Sequence, residues 1–259
     1  MINISISTMD RNFGNTLEVV SLLSRKNKKI NFLIICQKSS SNVDYNLSNN
    51  LRIIKTTSVG LSKSRNLAIE SVNTGWIWFQ DDDIKLDESK LEKIIDELYC
   101  YKPDLYFIKI GSLENKNEYY KNYSFFEKHS YLNFLKVSSI EIVANIEFIK
   151  NNNLKFNESL GLGTTLPCCE ENKFIYDCFL RTRNVKYSDI KACYHTTLIE
   201  NRNIDIRRNL IAKGYFLRII PFYIALPLLF RWSFKFSKKS ELKPFSCLRY
   251  LIQGYRYNI

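Results

Sequence analysis

Residues 75–84 read Gly75-Trp76-Ile77-Trp78-Phe79-Gln80-Asp81-Asp82-Asp83-Ile84. The four large apolar residues at 76–79 predict a buried β-strand, and three carboxylates follow it after one glutamine. Because side chains two apart on an extended chain point the same way, Asp81 and Asp83 should share one face. Carboxylates this close repel each other unless a cation or strong hydrogen-bond donors hold them. We therefore predict a divalent-metal site at the end of this strand, in preference to a solvated acidic turn in which Asp87 caps the next helix.

Strand and helix patterns alternate on both sides of this segment. Continuous or alternating apolar runs predict strands, and amphipathic stretches predict helices. The predicted strands are 2–8, 30–36, 51–54, 76–80, 105–110 and 138–145, the main predicted helices are 62–72, 88–101 and 170–181, and 38–50 is predicted to be a loop. Such alternation predicts an α/β fold with a mainly parallel sheet covered by helices.

The charge of the chain is concentrated near its C-terminus. The 259 residues carry a net charge of +12. Residues 201–259 contain twelve Lys and Arg but only two acids, a net charge of +10, so the first 200 residues are nearly neutral. We expect a soft boundary near residue 200 and a basic, helical tail beyond it.

The tail contains an uncharged run of twelve residues, 219–230, between Arg218 and Arg231. A transmembrane helix needs about 20 apolar residues, and this run also contains two prolines. Its flanking cations and aromatic residues are typical of an element that lies in a membrane interface. Two alternatives are a buried segment with a solvated basic surround and a nucleic-acid-binding surface. The membrane interpretation is preferred because a nucleic-acid groove needs no run this apolar.

The seven cysteines are odd in number and form no CxxC motif. Residues 1–6 alternate like a strand and do not resemble a signal peptide, which predicts reduced thiols in a cytosol. A zinc site is disfavoured, because the spacing matches no zinc pattern and free cysteines are commonly small buried hydrophobes. The residues considered for such a site are Cys168, Cys169, Cys178, Cys193 and His195.

Four segments together resemble family 2 of the GT-A glycosyltransferases over about residues 1–200. They are Gly60-Leu61-Ser62-Lys63-Ser64-Arg65-Asn66, the triplet Asp81-Asp82-Asp83 at the spacing that family uses, Gly161-Leu162-Gly163-Thr164 followed by Cys169-Glu170-Glu171-Asn172, and Tyr194-His195-Thr196. The resemblance implies a GT-A fold, a nucleotide-diphospho-sugar donor, a Mg²⁺ or Mn²⁺ ion, and inversion at the transferred sugar carbon.

By position, the resemblance assigns Asp81 and Asp83 to the metal and nucleotide motif. It places Asp82 beside the ribose or donor sugar and makes His195 an extra metal or diphosphate contact. A histidine of purely structural role at position 195 is the alternative.

The donor pocket is expected to include Arg65 and Asn66, which match the helix-start motif, and Thr8, at the end of the first strand. The alternative for Arg65 is a helix-surface cation. The first strand ends Ser-Thr-Met-Asp where the family usually has Pro-Thr-Tyr-Asn, and Cys36-Gln37 replace the acids that usually read the nucleobase. A uridine nucleotide is therefore only a default.

The usual Gly-Glu-Asp of the family reads Cys169-Glu170-Glu171 here. Either Glu170 or Glu171 is therefore the catalytic base, and Glu171 is preferred by position. Independently of the family, an acceptor hydroxyl is a poor nucleophile until a carboxylate takes its proton. The alternative for Glu171 is a helix N-terminal carboxylate that the helix dipole favours.

We therefore expect a nucleotide-sugar-binding half at 1–110, an acceptor and catalytic half at 111–200, and a membrane-associating tail at 201–259. The expected function is inverting transfer of a sugar to a polysaccharide or lipid-linked glycan, on the cytoplasmic face of a bacterial membrane. The alternatives are a nucleotidyltransferase, which also uses an acidic pair and a metal, and a non-enzymatic basic protein that binds membrane or nucleic acid. The intact acids argue against the last.

Overall fold

The computed structural model describes residues 1–83, 85–127, 131–196 and 205–257. The expected boundary near residue 200 lies outside these residues. The strands are β1 Ile2–Met9, β2 Ile30–Gln37, β3 Val43–Ser48, β4 Leu51–Lys55, β5 Trp76–Asp81, β6 Lys85–Leu86, β7 Leu105–Ser112, β8 Ile142–Asn145 and β9 Val185–His195. The helices are α1 Phe13–Lys26, α2 Leu61–Ser71, α3 Glu88–Tyr101, α4 Ser124–Glu127, α5 Ile146–Asn151, α6 Glu170–Phe179, α7 Ile206–Ile219, α8 Phe222–Ser237 and α9 Pro244–Tyr255.

In the described part of the chain, the strands form one sheet in the order β3-β4-β2-β1-β5-β8-β7-β9-β6. Strand β1 runs parallel to both β2 and β5, and β2 runs parallel to β4. The chain builds one side of the sheet outward from β1 and then returns to add β5 on its other side. In open α/β sheets, ligands bind at such a switch point, beside the carboxyl ends of the strands. Here that crevice lies at the ends of β1 and β5.

The predicted α/β architecture is confirmed, and β5 is the buried strand that its sequence predicts. The side chains of Trp76, Ile77, Trp78 and Phe79 are all buried. A continuous apolar run suits a strand covered on both faces. The core accordingly forms two layers, one on each side of the sheet. One layer contains Ile77 and Phe79, and the other contains Trp76 and Trp78.

Two local predictions are wrong. Residues 43–48, predicted to be part of a loop, form the edge strand β3, antiparallel to β4. Apolar Val43, Tyr45 and Leu47 alternate with polar residues along this strand, but all six residues are exposed. The ion pair between Arg52 of β4 and Asp44 supports the pairing. The strand predicted over 138–145 begins with a 3₁₀ turn at Ser139–Glu141, in which Ser138 and Glu141 form a capping box, and only Ile142–Asn145 pairs as β8.

The C-terminal helices pack on the body. Phe216 and Leu217 of α7 and Ala225 and Leu228 of α8 belong to the same buried cluster as sheet residues such as Phe107. Helices α7 and α9 also approach closely, since a Cβ atom added at Gly254 would lie 1.9 Å from the carbonyl oxygen of Ile211. Within the described residues, no helix has the length and apolarity needed to cross a membrane.

Candidate active site

The three carboxylates stand at the carboxyl edge of the sheet, as predicted. Asp81 is the last residue of β5 and is paired in register with Ser7 of β1. Asp82 and Asp83 follow in the turn that leads to the short strand β6. The buried apolar strand β5 therefore ends at the crevice, where the three acidic residues follow its apolar run.

Side chains from the end of β1 hold Asp82. The hydroxyl of Thr8 donates to Asp82 Oδ2 at 2.6 Å, and the amide of Asn12 donates to the same oxygen at 3.1 Å. Thr8 thus lies beside the acidic triplet, and its role in donor binding stays a prediction. Asn12, at the start of α1, is a residue that sequence reasoning missed, because nothing local links an asparagine to a carboxylate 70 positions away.

Asp83 and His195 come together across the sheet edge. Strand β6 pairs antiparallel with the end of β9, with Lys85 opposite Tyr194, and this pairing places His195 beside the triplet. His195 Nε2 lies 3.4 Å from Asp83 Oδ2. The ring of His195 also packs edge-to-face against Tyr120, with the ring centroids 5.1 Å apart.

A buried guanidinium joins the acidic triplet to the second acidic motif. Arg65 lies in α2 with a side chain that is 2% exposed. Its two terminal nitrogens lie 3.4 Å from Asp81 Oδ1 and 3.2 Å from Glu170 Oε1, and one of them also donates to the Ser139 hydroxyl at 2.7 Å. Charged side chains are seldom fully buried unless they are paired. Arg65 is therefore an internal cation that links two motifs, and the helix-surface alternative is wrong.

The surroundings of Asp81 shift its pKa in opposing directions. Desolvation by the surrounding protein raises its pKa, the Arg65 guanidinium lowers it, and the carboxylates of Asp83, Glu170 and Asp82 raise it. The net pKa is above the usual range. A cluster of acids of this kind stays ionised most readily when a further cation binds beside it.

Asn66 is buried next to Arg65, but its contacts are with a different loop. Its amide donates to the carbonyl oxygen of Phe156 at 2.9 Å and to Glu158 Oε1 at 3.0 Å, and its own oxygen accepts from the Phe156 amide at 2.8 Å. These bonds fix the segment that leads to the second acidic motif. A role for Asn66 in donor binding stays a prediction.

The second acidic motif begins at a strained residue. Cys169, the N-cap of α6, has φ 76° and ψ 9°, in the left-handed region that favours glycine. It occupies the position at which the resembled motif has glycine, so the backbone keeps the glycine conformation with a different side chain. This agreement supports the alignment in which Glu170 and Glu171 follow as the two acids of the motif.

The two glutamates differ in environment. Glu170 is buried and ion-paired with Arg65. Glu171 is partly exposed and makes no side-chain ion pair with any described residue at salt-bridge distance. Desolvation, followed by the nearby Glu170 carboxylate and Cys169, raises the pKa of Glu171 well above its usual range. A carboxylate with a raised pKa is a better proton acceptor, and the assignment of Glu171 as the base stays a prediction.

Lys213 is a further site neighbour that sequence reasoning missed. It lies in α7, and its ammonium lies 3.8 Å from Cys169 Sγ and 5.0 Å from the centroid of the Trp232 ring. In the sequence, Lys213 is only one of the twelve basic residues of the tail. The fold instead brings it to the start of α6.

The described residues fit a divalent ion that is also bound by phosphate. No group of three or more His, Cys, Asp or Glu in the described ranges is arranged to hold a metal by itself. The separation of Asp83 and His195 is close to the roughly 3 Å expected between neighbouring ligands that are each about 2.1 Å from one ion. Mg²⁺ usually takes one or two carboxylates and completes its shell with phosphate and water, and Mn²⁺ has similar oxygen preferences.

Solved structures resemble the fold at low sequence identity. The crystal structure of S. aureus TarS 1–349 aligns with a TM-score of 0.60 and 14% identity, over 83% of this chain and 64% of that chain. The same protein in complex with UDP-GlcNAc aligns with a TM-score of 0.61 and 13% identity, over 83% and 65%. Its complex with UDP gives 0.57 and 15%, over 82% and 64%. The chain thus spans a little under two thirds of the length of these structures.

A comparison with curated protein sequences gives no match. The family model described as glycosyl transferase family 2 matches residues 21–161. That range is more than half of the 259 residues, and it contains the acidic triplet, Arg65 and the loop that supports the second acidic motif. The chain belongs to glycosyl transferase family 2.

Proposed function

We propose that the protein is an inverting glycosyltransferase that takes a sugar from a nucleotide-diphospho-sugar and passes it to a glycan hydroxyl. The observation that carries this proposal is the bridge made by Arg65 between Asp81 and Glu170. That bridge holds the acidic triplet and the base-bearing helix α6 as one unit. A displacement reaction needs both parts, because one group must receive the leaving diphosphate while another activates the attacking hydroxyl.

The donor is assigned to the crevice at the ends of β1 and β5. Asp83 and His195 are the proposed protein ligands of Mg²⁺ or Mn²⁺, with Asp81, which pairs with Arg65, beside them. Thr8 and Asp82 are the proposed contacts to the ribose or sugar. A bound ion there would neutralise the negative charge that develops on the leaving nucleoside diphosphate. The neighbouring TarS structures contain UDP and UDP-GlcNAc, which supports a uridine donor as the first to be tested.

Glu171 is the proposed general base. The carboxylate would accept the proton of the acceptor hydroxyl as that oxygen attacks the sugar carbon, on the face opposite to the departing diphosphate. Inversion at the sugar carbon follows from this single displacement. Glu170, Arg65 and Ser139 would position α6 and do not take part in the proton transfer.

A nucleotidyltransferase is the second candidate, since its chemistry also uses an acidic pair and a metal. It has no need of a separate carboxylate on a second element to activate a sugar hydroxyl. The proximity of α6 to the triplet therefore favours glycosyl transfer. The two reactions release different products, a nucleoside diphosphate in glycosyl transfer and pyrophosphate in nucleotidyl transfer.

The proposed acceptor is a polysaccharide or a lipid-linked glycan at the cytoplasmic face of a membrane. The net charge of +10 over residues 201–259 supports this location, because anionic lipid attracts each nearby Lys or Arg by about 1 kcal/mol. Helices α7 and α8 contribute to the main core, so deletion of the tail would expose apolar residues of the body. Point substitutions are therefore the better test of a membrane role.

The Asp83→Asn variant tests the metal assignment. We expect the affinity for nucleoside diphosphate in the presence of Mn²⁺ to fall by about 10–100-fold, because an amide is a weaker ligand than a carboxylate for a hard cation. Calorimetric titration of UDP with and without Mn²⁺ measures this change. Asp96→Asn, at an exposed position of α3, is the matched control and should bind as the unaltered protein does. Equal Mn²⁺-dependent affinity in both variants would remove Asp83 from the metal site.

A further inference from the structure

Helix α8 exposes a row of large apolar side chains. Phe222, Leu226, Phe230 and Phe234 are spaced four residues apart, so they lie along one face of the helix. They and Tyr223 are between 41% and 77% exposed. The opposite face of α8 is the one that packs on the body, through residues such as Ala225 and Leu228. The exposed row is therefore not needed to hold the helix in place.

The row continues onto α9. Leu226 and Phe222 line a recess together with Ile252 and Tyr255 of α9, each of which is 37% exposed. Leu217, Ala225 and Leu229 form the floor of the recess, and Arg256 also lines it. We call this surface of α8 and α9 the aromatic face, defined by Phe222, Tyr223, Leu226, Phe230, Phe234, Ile252 and Tyr255. Seven large exposed apolar residues on two packed helices differ from the singly scattered apolar residues of an ordinary soluble surface.

Cations border the aromatic face. Arg231 and Lys235 each follow a member of the row by one position, which turns them about 100° around the helix from it. Both are exposed, and Arg256 stands at the recess. Glu241 is the single acid between positions 222 and 259. An apolar sector beside a basic sector, with almost no acids, complements the interface of an anionic bilayer.

We propose that the aromatic face is a membrane-docking surface that inserts at the interface of an anionic lipid bilayer. Phe222, Leu226, Phe230 and Phe234 enter the acyl boundary, while Arg231, Lys235 and Arg256 lie at the level of the lipid phosphates. Helix α8 lies along the membrane plane, as its 16 residues require. A second copy of the chain fits less well, because a two-fold contact would bring the same cations of both copies together.

Docking through this face would place the candidate active site next to the membrane. Lys213 of α7 reaches the start of α6 and is also stacked on Trp232 of α8. Lys213 of α7 therefore connects α8, which carries most of the aromatic face, with the start of the helix that carries Glu171. This inference deepens the proposed function, since it rests on an acceptor that lies at a membrane. Vesicle binding is measured without a donor, so its failure leaves the glycosyl-transfer proposal standing.

The test compares the variant Leu226→Gln/Phe230→Gln with the unaltered protein in co-sedimentation with phosphatidylcholine vesicles that contain phosphatidylglycerol. We expect the partition coefficient to fall at least about tenfold, because two apolar side chains no longer leave water on binding. Val19→Gln/Leu22→Gln is the matched control, because these two residues of α1 are also more than half exposed. The control should sediment as the unaltered protein does. Circular dichroism of each variant verifies the fold.

A charge pair completes the test. Arg231→Gln/Lys235→Gln should lower binding to the anionic vesicles by about tenfold or more at low salt and leave binding to pure phosphatidylcholine unchanged. Lys90→Gln/Lys93→Gln, exposed on α3, should have little effect. The proposal is overturned if the unaltered protein does not bind anionic vesicles, or if Leu226→Gln/Phe230→Gln binds equally well. It is also overturned if the unaltered protein is a dimer that this variant dissociates.

Discussion

The Glu171→Gln variant is expected to bind the donor normally and to lose turnover by about 10²–10⁴-fold, the usual contribution of a general base. The amide keeps the size of the side chain but cannot accept a proton from the acceptor hydroxyl. Initial rates at saturating donor, together with donor affinity from calorimetry, separate the two effects. Normal turnover of this variant at saturating donor would contradict the assignment of Glu171 as the base.

Two controls accompany this variant. Glu170→Gln should lose stability more than turnover, because Glu170 is the buried partner of Arg65. If a folded Glu170→Gln protein loses turnover while Glu171→Gln keeps it, the base is Glu170. The second control is the pH profile. Because the pKa of Glu171 is raised, turnover of the unaltered protein should fall as the pH decreases through that pKa, and Glu171→Gln should lack this acidic limb.

Replacement of Arg65 by methionine should lower the free energy of unfolding by about 3–5 kcal/mol. The change removes the cation from a buried pair and leaves the carboxylate of Glu170, which is 8% exposed, without its partner. Urea denaturation followed by circular dichroism measures the loss. The same variant should also bind donor weakly, because Asp81 loses the group that orients it.

Two variants test whether the charge pair is the cause. The double variant Arg65→Met/Glu170→Gln should recover much of the lost stability, since no unpaired charge then remains buried. Arg52→Met, which breaks the largely exposed pair with Asp44, should cost no more than about 1 kcal/mol. A loss as large for Arg52→Met as for Arg65→Met would mean that burial of the pair is not what matters.

The sequence predicted the fold where burial and periodicity coincide. The apolar run of β5 and the amphipathic stripe of α3 are local patterns, and both elements lie where they were predicted. Strand β3 was missed although Val43, Tyr45 and Leu47 alternate with polar residues, because it lies in a stretch rich in Ser and Asn that is typical of a loop. All six of its residues are exposed, and the strand forms by pairing with β4. Strand β6 has only two residues, too few for any periodicity, yet its pairing with β9 brings His195 to Asp83.

The candidate site likewise has some features that the sequence predicted and others that only the structure shows. The triplet is visible in the sequence because its acids directly follow a buried strand. The burial of Arg65 is not, since its position in a polar helix start is equally typical of a surface cation. The approach of Asn12 to Asp82 and of Lys213 to Cys169 depends on contacts between distant parts of the chain. The left-handed backbone of Cys169 likewise becomes apparent only in three dimensions.

The proposed glycosyl transfer requires that this site break the bond between a sugar and a nucleoside diphosphate. The most direct measurement incubates the purified protein and Mn²⁺ with a panel of nucleoside-diphospho-sugars, and follows the products by NMR. We expect at least one donor to yield its nucleoside diphosphate and a sugar of inverted anomeric configuration, and Asp83→Asn to abolish the reaction. Release of a nucleoside monophosphate together with a sugar 1-phosphate, or no cleavage and no thermal stabilisation by any donor in the panel, would contradict the proposed glycosyl transfer.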